Sequence, residues 1–124
     1  MKTFHFTIAG TFASDYKQFR GDIPAGTPVL LRRQPDNPHD PNAIEVSIRR
    51  ADVEEDVLPA PGPDGVLHPV YKLGMVPAKR GMRDGAPFNW AAFLAPIMDR
   101  GETVAATFER EFPKVMLDIA VVIG

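Results

Sequence analysis

Apolar and polar residues alternate from the start of the chain: Phe4, Phe6, Ile8, Gly10 and Phe12 share one parity, with His5, Thr7 and Thr11 on the other. A period of two is the pattern of a half-buried strand, and Gly10 inside it points to a bulge or a close backbone approach. Pro24-Ala25-Gly26-Thr27-Pro28 breaks the chain before Val29-Leu30-Leu31-Arg32-Arg33, and a second breaker at 34–41 precedes Ala43-Ile44-Glu45-Val46-Ser47-Ile48. This predicts two short strands around a rigid loop. Residues 66–76 resume a strand pattern through Val70, Lys72, Gly74 and Val76, with Pro69 demoting its start to an edge or a bend. Trp90, Phe93, Leu94, Ile97 and Met98 then fall at helical spacing and predict a short helix with one apolar face on the core. Asn89 is its expected N-cap and Gly101 its stop. Pro96 conflicts with a helix that begins much earlier, because proline is tolerated only in the first turn. Strands at 102–110 and 114–123, joined by a turn at 111–113, complete the chain.

About six short strands with one or two short helices make a mainly β domain. Closure is how a short β chain disposes of its sheet edges, so the expected architecture is a small six-stranded barrel, closed or nearly so. OB-like and SH3-like barrels both fit.

Length and composition narrow the functional classes. The 124 residues fit one domain, 1–124, with one hydrophobic core. The chain has no cysteine, which removes disulfides, thiolate zinc sites and thiol catalysis. Its first residues alternate rather than form the continuous apolar run of a secretion signal, and the longest apolar run, 119–123, is far below the roughly 18 residues of a membrane span. A cytoplasmic protein is expected. The net charge is −2 and the pI about 5.9, which argue against a nucleic-acid ligand until the distribution is considered. Residues 51–65 hold Asp52, Glu54, Glu55, Asp56 and Asp64 with no lysine or arginine, followed by a Pro-Gly-rich run, so an acidic, proline-rich loop is expected there. Setting those five aside leaves 11 acidic against 14 basic residues. A local basic face is compatible with that balance, since attraction to phosphate acts within about 8–10 Å.

The densest signal is Leu31-Arg32-Arg33-Gln34-Pro35-Asp36-Asn37-Pro38-His39-Asp40-Pro41-Asn42-Ala43-Ile44-Glu45-Val46. Two strands frame a loop braced by Pro35, Pro38 and Pro41, so little ordering entropy remains to be lost when it binds something. The plainer reading is a set of Asx turns, with Asp36, Asn37, Asp40 and Asn42 satisfying local backbone amides.

This stretch, from Arg33 to Val46, resembles the signature of the HIRAN domain, a module fused to helicase-like DNA translocases and found in bacteria as a stand-alone chain. Ile8-Ala9-Gly10-Thr11-Phe12 is similar to the family's first strand. Leu73-Gly74-Met75-Val76-Pro77 and Leu94-Ala95-Pro96-Ile97-Met98-Asp99-Arg100-Gly101-Glu102 are similar to its later strand and helix. The resemblance runs from about Phe6 to Ala106, with the acidic loop and residues 80–89 as insertions. It implies an OB-like barrel that takes the 3′ end of single-stranded DNA in a DNA-repair setting. By position, His39 stands where an aromatic ring stacks on a base, Asp40 where a carboxylate meets the terminal hydroxyl, and Asn37 where an amide hydrogen-bonds nearby.

The chain departs from that pattern at two places. Where the DNA-binding members carry an arginine and paired tyrosines after the first-strand glycine, it has Thr11-Phe12-Ala13-Ser14, leaving Phe12 and the nearby Tyr16 as the rings. Where they carry a histidine and a lysine, it has the uncharged Met75 to Ala78, and basic groups follow at Lys79 and Arg80. Arg32 and Arg33, adjacent on a strand, point to opposite faces, so one of them, taken as Arg33, lines the ligand side. Lys79, Arg80 and Arg83 form a second basic cluster, while Trp90 and Phe93 are read as core.

The expected function is therefore a non-catalytic nucleic-acid-binding module that prefers single-stranded DNA and, at finer grain, its free 3′ end. The expected contacts are Phe12, Tyr16, Arg33, Asn37, His39, Asp40, Lys79 and Arg80. No metal or cofactor is expected: His5, His39 and His68 lack helical metal-ligand spacing, and phosphate-loop, dinucleotide and nucleophile-elbow motifs are absent. A protein-interaction domain docking on a DNA-processing partner is the alternative. A metal-dependent hydrolase using His39 with Asp36 or Asp40 is a weaker one.

Overall fold

The computed structural model describes residues 2–11, 23–49, 70–112 and 116–124. Eight strands and one helix follow in the order β1 (Lys2–Thr7), β2 (Pro28–Arg33), β3 (Ile44–Arg49), β4 (Val70–Met75), β5 (Met82–Arg83), β6 (Ala86–Pro87), α1 (Trp90–Asp99), β7 (Val104–Phe112) and β8 (Met116–Ile123). Six strands form one antiparallel sheet in the order β1-β8-β7-β2-β3-β4, and β5 and β6 form a separate two-stranded ribbon. Phe12, Tyr16, the acidic stretch 51–65 and the beginning of the expected fourth strand, 66–69, lie outside the described residues.

The alternation read along the chain is the alternation of burial. Phe6, Ile8, Val29, Ile44, Val46, Ile48, Leu73, Ile119 and Val121 are buried, while His5, Leu30 and Arg32 face outward. The first strand is shorter than expected. It ends at Thr7, and Gly10 turns the chain away with a left-handed φ of 72°. Between them Ala9 reaches the far edge of the sheet: its N–H donates to the Met75 carbonyl at 2.8 Å, and the Met75 N–H returns to the Ala9 carbonyl at 2.7 Å. The segment just past β1 therefore meets the other edge strand, β4, at one residue pair among the described residues. Gly74 allows this approach, because a Cβ there would lie 2.4 Å from the Ala9 carbonyl oxygen.

The helix begins and ends on the expected residues. The Asn89 side chain accepts the Ala92 N–H at 2.9 Å. At the other end, the N–H groups of Gly101 and Glu102 bond the carbonyls of Met98 and Ile97, a Schellman closure that uses the left-handed φ of Gly101, 81°. Pro96 lies inside α1 on its exposed side. The helix survives the proline because Trp90, Ala91, Leu94 and Ala95 bury its opposite face against the sheet, and tertiary packing outweighs the lost backbone bond. Trp90 is 2% exposed, stacks on Phe6 with ring centroids 4.8 Å apart, and donates its indole N–H to the Met82 carbonyl at 2.9 Å. That bond ties the ribbon to the core. The ribbon turns at Asp84 and Gly85, both at positive φ (53° and 80°), as a tight hairpin of this kind requires. Near the C-terminus β7 runs on through Phe112, past the residue where the turn was expected to begin, because Glu111 and Phe112 pair with Leu117 and Met116.

Candidate nucleic-acid interface

The loop between β2 and β3 is built almost entirely from its own polar groups. At its root the Gln34 N–H bonds the Ala43 carbonyl at 2.9 Å, and the Asn37 N–H bonds the Gln34 carbonyl at 3.0 Å. The Asn37 side-chain oxygen accepts the N–H groups of His39 and Asp40 at 2.9 and 3.3 Å, and its amide nitrogen donates to Gln34 Oε1 at 3.1 Å. One Asp40 carboxylate oxygen accepts the Asn42 N–H at 2.9 Å. The Asx-turn reading thus holds for Asn37 and Asp40, and it has a consequence for recognition. Because Asn37 holds the backbone of residues 39 and 40, the exposed His39 is carried on a fixed frame and is followed directly by Asp40, whose carboxylate has one oxygen unused among the described residues.

Arg33 is the strut of this frame. Its guanidinium uses four N–H groups: Nε and Nη2 reach the two Asp99 carboxylate oxygens at 3.0 and 3.2 Å, Nη1 reaches the Ala43 carbonyl at 2.9 Å, and Nη2 also reaches the Pro41 carbonyl at 3.0 Å. A guanidinium has five N–H donors, so most of this one's capacity is spent on the protein. Arg32 points to the other face, as its place on the strand requires, and pairs with the directly opposed Glu45 at 2.6 Å. Glu45 also accepts from Gln34 Nε2 at 3.0 Å.

Lys79 and Arg80 are exposed in the turn that follows Val76, and neither has an ion-pair partner among the described residues. The segment that leads to them is joined to the loop's root at Val76, whose N–H bonds the Ile44 carbonyl at 2.9 Å. The third member of the expected basic cluster is elsewhere. Arg83 lies on the ribbon with its guanidinium carbon 5.2 Å from the Phe4 and Phe88 ring centres and 5.8 Å from that of Trp90, where it caps an aromatic cluster. Phe93 packs edge-on against Phe4 and Trp90 in that same cluster, as a core residue does.

Two features escaped the reading of the sequence. Asp99 is 66 residues from Arg33, and nothing local marks it as a partner. The Asp84-Gly85 hairpin did carry a signal, since Asp-Gly is among the strongest two-residue turn pairs, but its strands are only two residues each. Among the described residues, no three histidine, aspartate or glutamate side chains converge as a metal site needs, and no helix is long and apolar enough to cross a membrane.

This is a mainly β domain: an antiparallel sheet that carries one internally bonded loop with an exposed histidine and a neighbouring aspartate. The chain belongs to the HIRAN domain family, whose model matches residues 1–79 and so takes in β1 to β4 and the whole loop. HIRAN domains are known in general as DNA-binding modules. The structure is similar to the crystal structure of the HIRAN domain of human HLTF, with 17% sequence identity and a TM-score of 0.57, covering 98% of this chain and 74% of that one. That likeness concerns the fold, and it extends to the helix and last two strands beyond the matched residues. No curated protein matches the sequence.

Proposed function

We propose that this HIRAN domain is a non-catalytic module that binds single-stranded DNA in the cytoplasm and favours a free 3′ end. The observation that carries the reading is the pairing of the exposed His39 ring with the half-used Asp40 carboxylate on a backbone already held by Asn37. An aromatic face contributes about 1–3 kcal/mol per stacked base with little regard to sequence. A carboxylate oxygen accepts a hydrogen bond from a terminal hydroxyl and repels a terminal phosphate. Lys79 and Arg80 supply phosphate contacts, and Phe12 and Tyr16 are assigned further ring contacts by the resemblance alone. In this reading Arg33 acts through the loop it braces, and Asn37 acts as the residue that aims His39 and Asp40. The Ala9–Met75 bridge, which joins the segment just past β1 to β4, supports regarding the sheet as a nearly closed, OB-like barrel.

The test is fluorescence anisotropy of a labelled oligothymidylate across a salt series. Affinity should fall as salt rises, with a shallow slope of about 0.7 per phosphate engaged, because few cations are available. Binding that ignores salt, or no binding at low salt, would favour a module that docks on a protein partner.

A further inference from the structure

A groove of about 510 Å³ lies between β1 and the segment that runs from Pro77 to Met82, floored by residues His5 to Ala9 and walled on the other side by Arg110, Met116 and Asp118. That volume is within the range of about 300–1,000 Å³ at which small-ligand sites are built. We infer that this groove is a second nucleic-acid subsite, which takes the sugar–phosphate backbone and bases of the nucleotides 5′ of the one held at His39. The inference rests on the single-strand reading above and extends its path across the domain.

Four observations point to this ligand. The first is continuity. The groove ends at Ala9 and Pro77, Ala9 is bridged to Met75, and the Val76 N–H bonds Ile44 at the root of the loop. The Ala9–Pro77 end of the groove is thus tied, through Met75 and Val76, to the root of the loop.

The second is charge. Asp118 is the carboxylate in the groove, and its two oxygens are engaged by the Thr7 hydroxyl and by Arg110 Nε at 3.1 Å. Its charge is offset by Arg110, whose side chain remains 67% exposed, and Arg80 has no ion-pair partner among the described residues. Among the side chains that line the groove, the two guanidinium groups of Arg80 and Arg110 stand against the one carboxylate of Asp118. His5 is turned to Glu109, its Nδ1 2.7 Å from the carboxylate, and adds no cation for a phosphate.

The third observation is the free edge of β1. The Ile8 N–H bonds Leu117 on β8 and the Ala9 N–H bonds Met75 on the opposite side. Successive residues of a strand alternate, so the N–H groups of Thr7 and His5 point the same way as that of Ala9, into the groove. Backbone N–H groups are ordinary phosphate donors.

The fourth is apolar. Of the three exposed large hydrophobic residues among those described, two line this groove: Met82 at 53% and Met116 at 45%. Thioether side chains adapt to flat, variable partners such as bases.

The test compares trimer and decamer oligothymidylates, both with free 3′ ends, by anisotropy on the whole chain. The variants are the double substitution Met82→Glu with Met116→Glu, which adds two negative charges at exposed positions, and His39→Ala. The wild type should bind the decamer about tenfold more tightly than the trimer, with a salt slope steeper by about 0.7 for each additional phosphate engaged. The glutamate pair should remove both the length gain and the extra slope while trimer affinity stays within about twofold, and a thermal melt should stay within a few degrees of wild type. His39→Ala should weaken both lengths alike. A length gain that persists in the glutamate pair would come from the number of registers on a longer strand and would overturn the groove while leaving the loop site standing. Failure of every oligonucleotide to bind would overturn both.

Discussion

Replacing Arg33 with methionine keeps the aliphatic stem and removes the guanidinium that joins the loop to the helix end. The side chain is only 15% exposed, so water replaces its bonds incompletely. The contributions are unequal. The Ala43 carbonyl keeps a second donor, the Gln34 N–H, and Pro41 is exposed, so neither acceptor is left buried without a partner. What is lost is the net worth of two charge-assisted bonds to carbonyls, about 1–1.5 kcal/mol each after solvent compensation. The pair with Asp99, which is 55% exposed, adds about 0.5 kcal/mol. Arg33→Met should therefore cost about 2.5–3.5 kcal/mol, and Asp99→Asn, which keeps an acceptor, about 0.5 kcal/mol. Urea denaturation measures both as a shift of midpoint at constant slope. Oligothymidylate affinity of the folded Arg33→Met protein should fall about tenfold, because ordering even one loop residue at binding costs about 1–2 kcal/mol. Stability within about 0.5 kcal/mol of wild type would refute the strut and leave the prolines and Asx turns holding the loop. Unchanged stability with lost affinity would make Arg33 a direct ligand contact instead.

Other substitutions separate the remaining roles. His39→Ala should weaken every single strand by about 1–3 kcal/mol in anisotropy, whatever its end, and leave the melt unchanged because the ring is exposed. Asp40→Asn keeps an oxygen for the Asn42 N–H and should erase mainly the preference for a free 3′-hydroxyl, whereas Asp40→Ala should also cost about 1 kcal/mol of stability in urea. Gly74→Ala should destabilise by about 3 kcal/mol, the sum of a forced contact with the Ala9 carbonyl and weakening of the Ala9–Met75 bridge, read as a drop in the urea midpoint.

Much of this domain was legible along the chain because its determinants are local. The helix shows both of its ends, Asn89 and Gly101, and its apolar stripe, and these override an internal proline that propensity alone would forbid. The loop is legible for the same reason: prolines and Asx residues act within three or four positions of themselves, and Asn37 and Asp40 do so here. Non-local determinants were hidden. No periodicity records that the first and last strands lie side by side in the order β1-β8-β7-β2-β3-β4, or that Arg33 is matched by Asp99. Arg33 and Arg83 show the limit most clearly. Arg33 reads as lining the ligand side and Arg83 as one of a basic cluster, yet a backbone frame occupies the first and an aromatic cluster the second. A basic residue in a sequence states its charge, and only the fold states what that charge already faces.

The most direct measurement compares three oligonucleotides of one sequence under one salt condition: a single strand with a free 3′-hydroxyl, the same strand with a 3′-phosphate, and its duplex. If the His39 ring stacks on an unpaired base and the free Asp40 oxygen meets the terminal hydroxyl, the free-ended strand binds tightest. The phosphorylated strand should be weaker by about tenfold, since a carboxylate then faces an anion in place of a donor. The duplex should be weakest, because its bases are not open to stacking. Equal affinity for all three would contradict the account, leaving only a charge-driven surface, and binding to none would remove nucleic acid as the ligand.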